Sequence, residues 1–292
     1  MYGLAHKING FNNLRMATEM PDCLKQSRIR ALVFDLDDTL LNTKKAIGIK
    51  TLDALFSWID SGGSIVLATS RPIRAVRHFI NNHLLESCEV ISLNGAIHHS
   101  HGRVVYKASK IGEIARKIVD EFPVQRTIRF SLEMEGESFA TNVSYSDEVL
   151  WIEQSATRDM LLPLDSINYN EVSKLAINGL GTRIDDLADW MQSLGAGVIP
   201  CNEGTFLNVV DQSVDKSTTL ARHATIHGWG RDSFAVFGDD IPDVKMMSLC
   251  DHAVAMGNAR DAVKNVAQVT IGHCDEDIIG DYVRKLMEVM PR

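Results

Sequence analysis

Three carboxylates and a threonine directly follow a short apolar run near the start of the sequence. The run is Ala31–Phe34, and Asp35, Asp37, Asp38 and Thr39 come after it. Asp35 and Asp37 are two residues apart, so in an extended chain they point to the same side. Carboxylates that close repel each other unless a cation lies between them, and oxygen ligands suit Mg²⁺ above all. The segment therefore predicts an acidic pocket that binds Mg²⁺.

A calcium-binding loop and a simple acidic turn are the alternatives for such a segment. An EF-hand loop that began at Asp35 would need glycine at its sixth position and glutamate at its twelfth. Leu40 and Ala46 occupy those positions. The sequence therefore excludes the EF-hand, and the magnesium site depends on partners further along the chain.

A second apolar run, at 64–69, ends in a hydroxyl side chain, that of Thr69. Ser70 follows it, and Pro72 suits the first turn of a helix. The start of a helix presents free N–H groups and a positive dipole end, which together with a hydroxyl favour phosphate. The simpler alternative is that Thr69 and Ser70 only cap the helix.

A lysine and a second acidic group occur later in the chain. Lys216 lies at the predicted start of a helix, where a lone lysine is usually on the surface. Asp239, Asp240 and Asp243 follow the apolar run 233–237, where they would either complete the metal site or form an acidic turn. A phosphate dianion beside aspartates needs a cation besides Mg²⁺, which gives the lysine a function.

The elements that must position these groups are short apolar runs separated by helical patterns. Such runs indicate strands buried in a parallel sheet, and they lie at 31–34, 64–69, 89–93 and 233–237, with a fifth strand and its turn at 252–259. Asn94 and Gly95 form a turn signal after the third run. Ligands of open α/β sheets bind at the carboxyl ends of the strands, where all these groups occur. We predict an α/β fold with a Rossmann-like parallel-sheet core.

The pattern changes between residues 107 and 210, where short strands and helices alternate. This predicts an α+β domain inserted into the core, and Glu133, Asn142 and Asn178 are polar candidates in it for facing the site. The predicted organisation is an N-terminal extension at 1–28, a first core part at 29–106, the inserted domain at 107–210 and a second core part at 211–292.

Histidines cluster at positions 98, 99 and 101. As a metal site this cluster is weak, because no second group of ligands stands at helical or zinc-finger spacing. We predict a solvated hairpin that turns at Gly102.

Composition limits the classes of function. The 292 residues are 45% hydrophobic, which is enough for a large core, and the formal net charge of −8 argues against nucleic-acid and membrane-surface partners. No apolar run approaches the roughly 20 residues of a membrane helix. Five cysteines without C-x-x-C spacing indicate reduced thiols. We expect a cytoplasmic protein, and the sequence does not predict an oligomeric state.

Taken together, these segments resemble the four motifs of the haloacid dehalogenase (HAD) superfamily of phosphotransferases. The matching segments are D-L-D-D-T-L at 35–40, A-T-S-R at 68–71, V-D-K-S at 214–217 and G-D-D-I-P-D at 238–243. N-G-A at 94–96 and V-A-M-G-N-A at 254–259 are similar to the Cof-type branch. The place and length of the insertion resemble the type II cap, B subtype.

The resemblance implies a mechanism and a role for each residue. Asp35 would be the nucleophile that forms an aspartyl phosphate, and Asp37 the general acid and base. Phosphate would be held by Thr69, Ser70 and Lys216, and Mg²⁺ by Asp35, Asp239 and the backbone carbonyl of Asp37. Asp243, Asp240 and Asn94 would support these ligands.

Three functions remain open from the sequence. The first is a Mg²⁺-dependent phosphatase of small phosphorylated metabolites, with sugar phosphates as the expected class. The second is a phosphotransferase like the phosphomannomutases, and the third a non-catalytic sugar-phosphate-binding protein. The presence of Asp35, Asp37, Lys216 and Asp239 disfavours the third.

Overall fold

The structure is a computed structural model that describes residues 29–121 and 128–289. The predicted N-terminal extension, 1–28, lies outside the described residues. The strands are β1 (Ala31–Phe34), β2 (Ser64–Ala68), β3 (Cys88–Ser92), β4 (Ile97–Ser100), β5 (Arg103–Lys107), β6 (Arg129–Met134), β7 (Ser138–Thr141), β8 (Val172–Asn178), β9 (Ala196–Cys201), β10 (Phe206–Asp211), β11 (Phe234–Gly238), β12 (His252–Ala255) and β13 (Val269–Thr270). The helices are α1 (Ile49–Asp60), α2 (Ile73–Phe79), α3 (Asn82–Glu86), α4 (Gly112–Glu121), α5 (Asp147–Gln154), α6 (Asp185–Ser193), α7 (Lys216–Ile226), α8 (Val244–Met247), α9 (Asp261–Val266) and α10 (Ile278–Val289).

The larger of two sheets has β1 near its middle. Its strand order is β13-β12-β11-β1-β2-β3-β4-β5, and the strands from β13 to β3 run parallel. All four residues of β1 are buried, as expected for a strand that is covered on both faces. Phe34 stacks on Phe237 of the neighbouring β11 with ring centroids 4.5 Å apart. The predicted α/β fold with a parallel-sheet core is confirmed.

The smaller sheet is antiparallel, in the order β7-β6-β8-β10-β9. Side chains alternate along a strand, so its two faces differ. One face is apolar, with Phe130, Leu132 and Leu175 in a core that also contains Ile118 of α4 and Met191 of α6. The other face carries buried polar residues, namely Ser131, Glu133, Lys174 and Asn208.

The histidine-rich hairpin forms, but it is not solvated. β4 and β5 pair antiparallel, and Gly102 in the turn between them has φ +73°, which glycine adopts freely. His98 and His99, however, are each only 2% exposed. The hairpin continues the large sheet beyond β3, and His98 is covered by the ring of His223 from α7. The prediction of solvent exposure was therefore wrong for these two residues.

No helix within 29–121 or 128–289 is both long enough and apolar enough to span a bilayer.

Candidate active site

Four charged side chains from three parts of the chain meet at one edge of the large sheet. Carboxylate oxygens of Asp35, Asp239 and Asp243 lie within 4.8 Å of one another. Lys216 Nζ donates to Asp35 Oδ1 at 2.5 Å and to Asp243 Oδ1 at 2.8 Å. The structure thus brings together the predicted nucleophile, lysine and second acidic group, and we call these four residues the acidic pocket.

Strand register explains this convergence. β1 and β11 are parallel neighbours with Phe34 opposite Phe237, so the residues that follow them leave the sheet side by side. Asp243 is then held by its own loop, because its Oδ2 accepts from the backbone N–H groups of Asp239 and Asp240 at 3.1 and 3.2 Å. A Cβ atom at Gly238 would lie 2.7 Å from Cβ of Asp243, so this close approach requires glycine.

Lys216 is the first residue of α7, and the start of this helix positions its side chain. Asp215 caps this helix, since its side chain accepts from Thr218 N at 2.8 Å while Thr218 Oγ1 accepts from Asp215 N at 3.1 Å. This reciprocal pair is a capping box and fixes the first turn. The Lys216 side chain is therefore buried at the carboxyl ends of β1 and β11 instead of lying on the surface.

The acidic pocket carries excess negative charge. Burial, followed by the neighbouring carboxylates of Asp243 and Asp239, raises the pKa of Asp35 well above its ordinary value, although Lys216 opposes this rise. Burial likewise raises the pKa of Asp239 to about 7. Three carboxylates against one ammonium leave two formal negative charges when all are ionised. A hard divalent cation with oxygen ligands fits this donor set.

Asp37 lies in a basic environment of its own. Arg71 donates to both of its carboxylate oxygens at 2.7 Å, and Lys45 Nζ lies 2.9 Å from its Oδ1. Burial acts against ionisation, but the hydrogen bonds and charges of Arg71 and Lys45 outweigh it and lower the pKa of Asp37. The Asp37 side chain is thus not among the clustered carboxylates, which leaves only its backbone carbonyl for the predicted metal contact.

Thr69 and Asn94 are buried neighbours at the carboxyl ends of β2 and β3. Thr69 is buried, its Oγ1 accepts from Arg71 N at 3.1 Å, and its carbonyl accepts from Asn94 N at 3.0 Å. Asn94 has φ 59°, and its buried Oδ1 has no hydrogen-bond partner among the described residues. Thr69 therefore both caps the following turn and keeps its hydroxyl hydrogen for another acceptor.

Ser70 contributes through its backbone, and Asp240 through both its backbone and its side chain. The Ser70 carbonyl accepts from Lys174 Nζ at 2.6 Å. The Asp240 carboxylate accepts from Arg260 Nε at 2.5 Å and also caps the short turn that leads to Asp243. The Asp240 N–H donates to Asp243 Oδ2 at 3.2 Å, and its carbonyl accepts from Asp243 N at 2.9 Å. Asp240 thus contacts Asp243 through its peptide groups and its side chain.

Several residues of the site were not expected from the sequence. Thr39 Oγ1 donates to Asp239 Oδ1 at 2.6 Å, and Asn258 Nδ2 donates to the Asp38 carbonyl at 2.7 Å. Lys174 is buried in the small sheet, and burial lowers its pKa to about 8. The only hint of this in the sequence of β8 is that Lys174 is a single lysine among mostly apolar residues.

Two cavities are lined by residues of both the large-sheet part and the small-sheet part, and the second of them includes Lys216 of the acidic pocket. One of about 250 Å³ is lined by Ser70 and Arg71 from the large-sheet part, and by Glu133, Lys174 and Asn178 from the small sheet, among others. The other, of about 470 Å³, is lined by residues that include Lys216, Asn94 and Asp240. Of the three polar candidates in the insertion, Glu133 and Asn178 line the first cavity. Asn142 instead hydrogen-bonds the backbone at Phe130 and Ile128.

The motifs and their geometry agree with a family model. Residues 32–283 match the model of the haloacid dehalogenase-like hydrolases. The chain belongs to this family. It is accordingly a Cof-type HAD phosphatase, in line with the resemblance of its four motifs.

Relatives with names match over nearly their full length. Pyridoxal phosphate phosphatase YbhA of Escherichia coli is 25% identical, over 87% of this chain and 97% of its own. The 5-amino-6-(5-phospho-D-ribitylamino)uracil phosphatase YitU of Bacillus subtilis is 24% identical, over 87% of this chain and 96% of its own. Both are named as phosphatases of small phosphorylated metabolites.

Solved structures share the fold. A HAD/COF-like hydrolase from Plasmodium vivax superposes with a TM-score of 0.76 at 18% identity, covering 91% of this chain and 98% of its own. A HAD-superfamily phosphatase from Bacteroides thetaiotaomicron gives a TM-score of 0.72 at 23% identity, covering 89% and 95%.

Proposed function

We propose that this enzyme hydrolyses a small phosphorylated metabolite with Mg²⁺ and that Asp35 forms an aspartyl phosphate. The contact of Lys216 with both Asp35 and Asp243 carries this proposal, because it joins a buried carboxylate and a fixed cation at the carboxyl end of β1. A carboxylate so placed can attack phosphorus while the lysine neutralises the phosphoryl oxygens.

Asp35 and Asp239 would hold Mg²⁺ with their carboxylates, and Asp37 with its backbone carbonyl. When bound, the ion supplies positive charge that lowers the pKa of the nucleophile and neutralises the phosphate dianion. Thr39 fixes one Asp239 oxygen, and Asp243 fixes Lys216. These two contacts hold Asp239 and Lys216 in place before substrate binds.

The first half-reaction forms a bond between an Asp35 oxygen and phosphorus as the bond from phosphorus to the leaving oxygen breaks. Lys216 and the Thr69 hydroxyl hold the equatorial oxygens of the transferred group. Asp37 in its protonated form gives its proton to the leaving oxygen. Because Arg71 and Lys45 favour ionised Asp37, these ion pairs must loosen when the leaving group occupies the site.

The second half-reaction uses Asp37 as a base. It takes a proton from a water molecule that attacks phosphorus, so that inorganic phosphate leaves and the Asp35 carboxylate is restored. Here the ion pairs with Arg71 and Lys45 help, because they hold Asp37 in its basic form.

We propose that residues 107–210 form the cap and that 29–106 and 211–292 form the core. The leaving group would lie against the polar face of the small sheet, in the cavity lined by Glu133, Lys174 and Asn178. The pyridoxal phosphate and phosphoribityl substrates in the names of the two relatives support a small phosphometabolite, and we favour a phosphorylated sugar or sugar-like compound. Location in the cytoplasm stays a prediction.

Hydrolysis of p-nitrophenyl phosphate with Mg²⁺, and after its removal by EDTA, tests the proposal. We expect release of inorganic phosphate with Mg²⁺ only, and loss of at least about 10³-fold in kcat for Asp35→Asn. Asp35→Asn activity close to that of the unchanged enzyme would refute the nucleophile assignment. A hexose 1-phosphate substrate separates the alternatives, since a phosphotransferase yields an isomeric sugar phosphate instead of free phosphate.

A further inference from the structure

A second group of metal-ligating side chains lies outside the acidic pocket. Glu89 of β3, His98 of β4 and His223 of α7 each offer one ligand atom, and these atoms lie within 4.8 Å of one another. The group includes one histidine of the tract 98–101, which the phosphatase chemistry does not use. We call these three residues the Glu-His-His cluster.

Sheet register brings the cluster together. Ile91 of β3 pairs with His98 of β4, and Glu89 pairs with Ser100. Because side chains alternate, Glu89 and His98 project from the same face as diagonal neighbours. α7 covers that face, and its His223 ring meets the His98 ring edge-on with centroids 4.8 Å apart.

The cluster contains buried nitrogen atoms that lack partners. His98 and His223 are each 2% exposed, and among the described residues His98 Nδ1 and His223 Nε2 have no hydrogen-bond partner. Buried polar atoms are nearly always paired. An ion bound by His223 through Nε2 would give that atom a partner, whereas His98 would bind through Nε2, the ring nitrogen that faces Glu89.

The carboxylate of the cluster is already oriented. Ser100 Oγ donates to Glu89 Oε1 at 2.7 Å, and the other oxygen, Oε2, lies 2.8 Å from His98 Nε2. A hydroxyl that fixes one carboxylate oxygen is a usual support for a metal ligand. The Glu89 side chain is 17% exposed, which gives an ion access from solvent.

We propose that Glu89, His98 and His223 bind a divalent transition-metal ion, with Zn²⁺ as the occupant. Two imidazoles, one carboxylate and an open position are a donor set that Zn²⁺ takes, whereas Mg²⁺ prefers oxygen ligands. In a tetrahedral site with bonds of about 2.0–2.1 Å, ligand atoms lie roughly 3.3 Å apart. Glu89 Oε2 and His98 Nε2 are 2.8 Å apart, and all three ligand atoms lie within 4.8 Å of one another, so side-chain rotations would have to bring them to this spacing around an ion.

An ion in this position would fasten α7 to the large sheet. Lys216 and His223 lie on the same helix, seven residues and thus about two turns apart, so they share a face. The site would therefore hold the helix that delivers the active-site ammonium. It adds a structural cross-link and no step to the hydrolysis.

Calorimetric titration of the full-length, metal-stripped protein with Zn²⁺ tests this, with Mg²⁺ in excess to occupy the acidic pocket. We expect one equivalent of Zn²⁺ to bind and the melting temperature to rise. His98→Gln and His223→Gln should each weaken Zn²⁺ binding by more than about 100-fold, the upper limit for loss of a merely supporting residue. Co²⁺ in place of Zn²⁺ should give a visible spectrum of a low-coordinate site that the variants lose.

Two matched variants serve as controls. His101→Gln changes an exposed histidine of the same hairpin, and His273→Ala changes another potential group, formed by His273, Cys274 and Asp275. Both should bind Zn²⁺ as the unchanged protein does. Melting curves recorded without metal show whether each variant is folded. If the variants of the buried histidines are unfolded, the Zn²⁺ affinity of Glu89→Gln is the test instead. Absence of Zn²⁺ binding, or binding that survives loss of the cluster and fails in His273→Ala, overturns the proposal.

Discussion

Arg74 of α2 and Glu133 of β6 form a bidentate ion pair that joins this helix to the small sheet. Arg74 Nη1 lies 2.6 Å from Glu133 Oε2, and Nη2 lies 2.8 Å from Oε1. The two side chains are only 2% and 6% exposed. Arg74 also lies over the ring of Phe139, 4.4 Å from its centroid, so the small sheet surrounds this guanidinium.

Loss of one member of this pair should be more harmful than loss of both. Arg74→Met leaves a buried carboxylate without its partner, and we expect a loss of about 3–5 kcal/mol in the free energy of unfolding. Arg74→Met combined with Glu133→Met should recover most of it. Urea denaturation of the two single variants and the double variant measures the coupling. Additive losses would show that the pair makes no specific contribution.

Lys216→Met should nearly abolish turnover. The variant keeps the length of the side chain but removes the ammonium between Asp35 and Asp243, and we expect kcat to fall by about 10²–10³-fold. Lys245→Met is the matched control, because Lys245 is exposed and pairs with Asp215 outside the pocket. Steady-state kinetics with p-nitrophenyl phosphate measures both. Equal rates for the two variants would contradict the function given to Lys216.

Arg71→Gln should change the pH profile of the second half-reaction, in which Asp37 acts as a base, measured as single-turnover hydrolysis of the aspartyl phosphate. Arg71 lowers the pKa of Asp37, so its removal raises that pKa. The acid limb, where Asp37 gains a proton and ceases to act as a base, should therefore move to higher pH. Lys45→Gln removes a smaller contribution and should move the limb in the same direction by less. An unchanged acid limb in Arg71→Gln would show that protonation of Asp37 does not determine this limb.

Stability should fall as the pH drops below about 6.5. Burial lowers the pKa of His252 from 6.5 to about 4. Between these two values the unfolded chain takes up a proton that the folded protein excludes, so this contribution is complete above pH 6.5 and is lost toward pH 4. We expect His252 to reduce the free energy of unfolding by about 2 kcal/mol between about pH 7 and about pH 5.

His252→Gln tests this contribution, since glutamine can keep a hydrogen bond to the Tyr282 hydroxyl, which lies 2.7 Å from His252 Nε2. Urea denaturation near the two pH values should show a smaller difference for this variant. His101→Gln, at an exposed position, should keep the full difference. The same pH dependence in all three proteins would locate the proton uptake elsewhere.

The sequence was sufficient to predict the positions of those site residues that directly follow a strand of the parallel sheet. Asp35, Thr69 and Asp239 each follow an apolar run, and parallel pairing of neighbouring strands necessarily brings such positions to one edge. Lys216 could be placed there only by its motif, because its contact with Asp35 spans 181 residues. These predictions needed no knowledge of how the small sheet packs against the rest.

Contacts between the small-sheet part and the large-sheet part could not be predicted. Arg74 and Glu133 meet only because the small sheet turns its polar face to the large one, and no local pattern encodes that orientation. Lys174 reaches Ser70 for the same reason. The burial of His98 depends on α7, which follows more than a hundred residues later in the chain. Local patterns predicted the hairpin but not what covers it.

The connection between β10 and α7 is only four residues long, 212–215. The last strand of the small sheet therefore leads almost directly to the ammonium of Lys216. A rotation that opened the cavities between the sheets would act on this short connection and therefore on the start of α7. Entry of substrate would then be coupled to the contacts of Lys216 with Asp35 and Asp243.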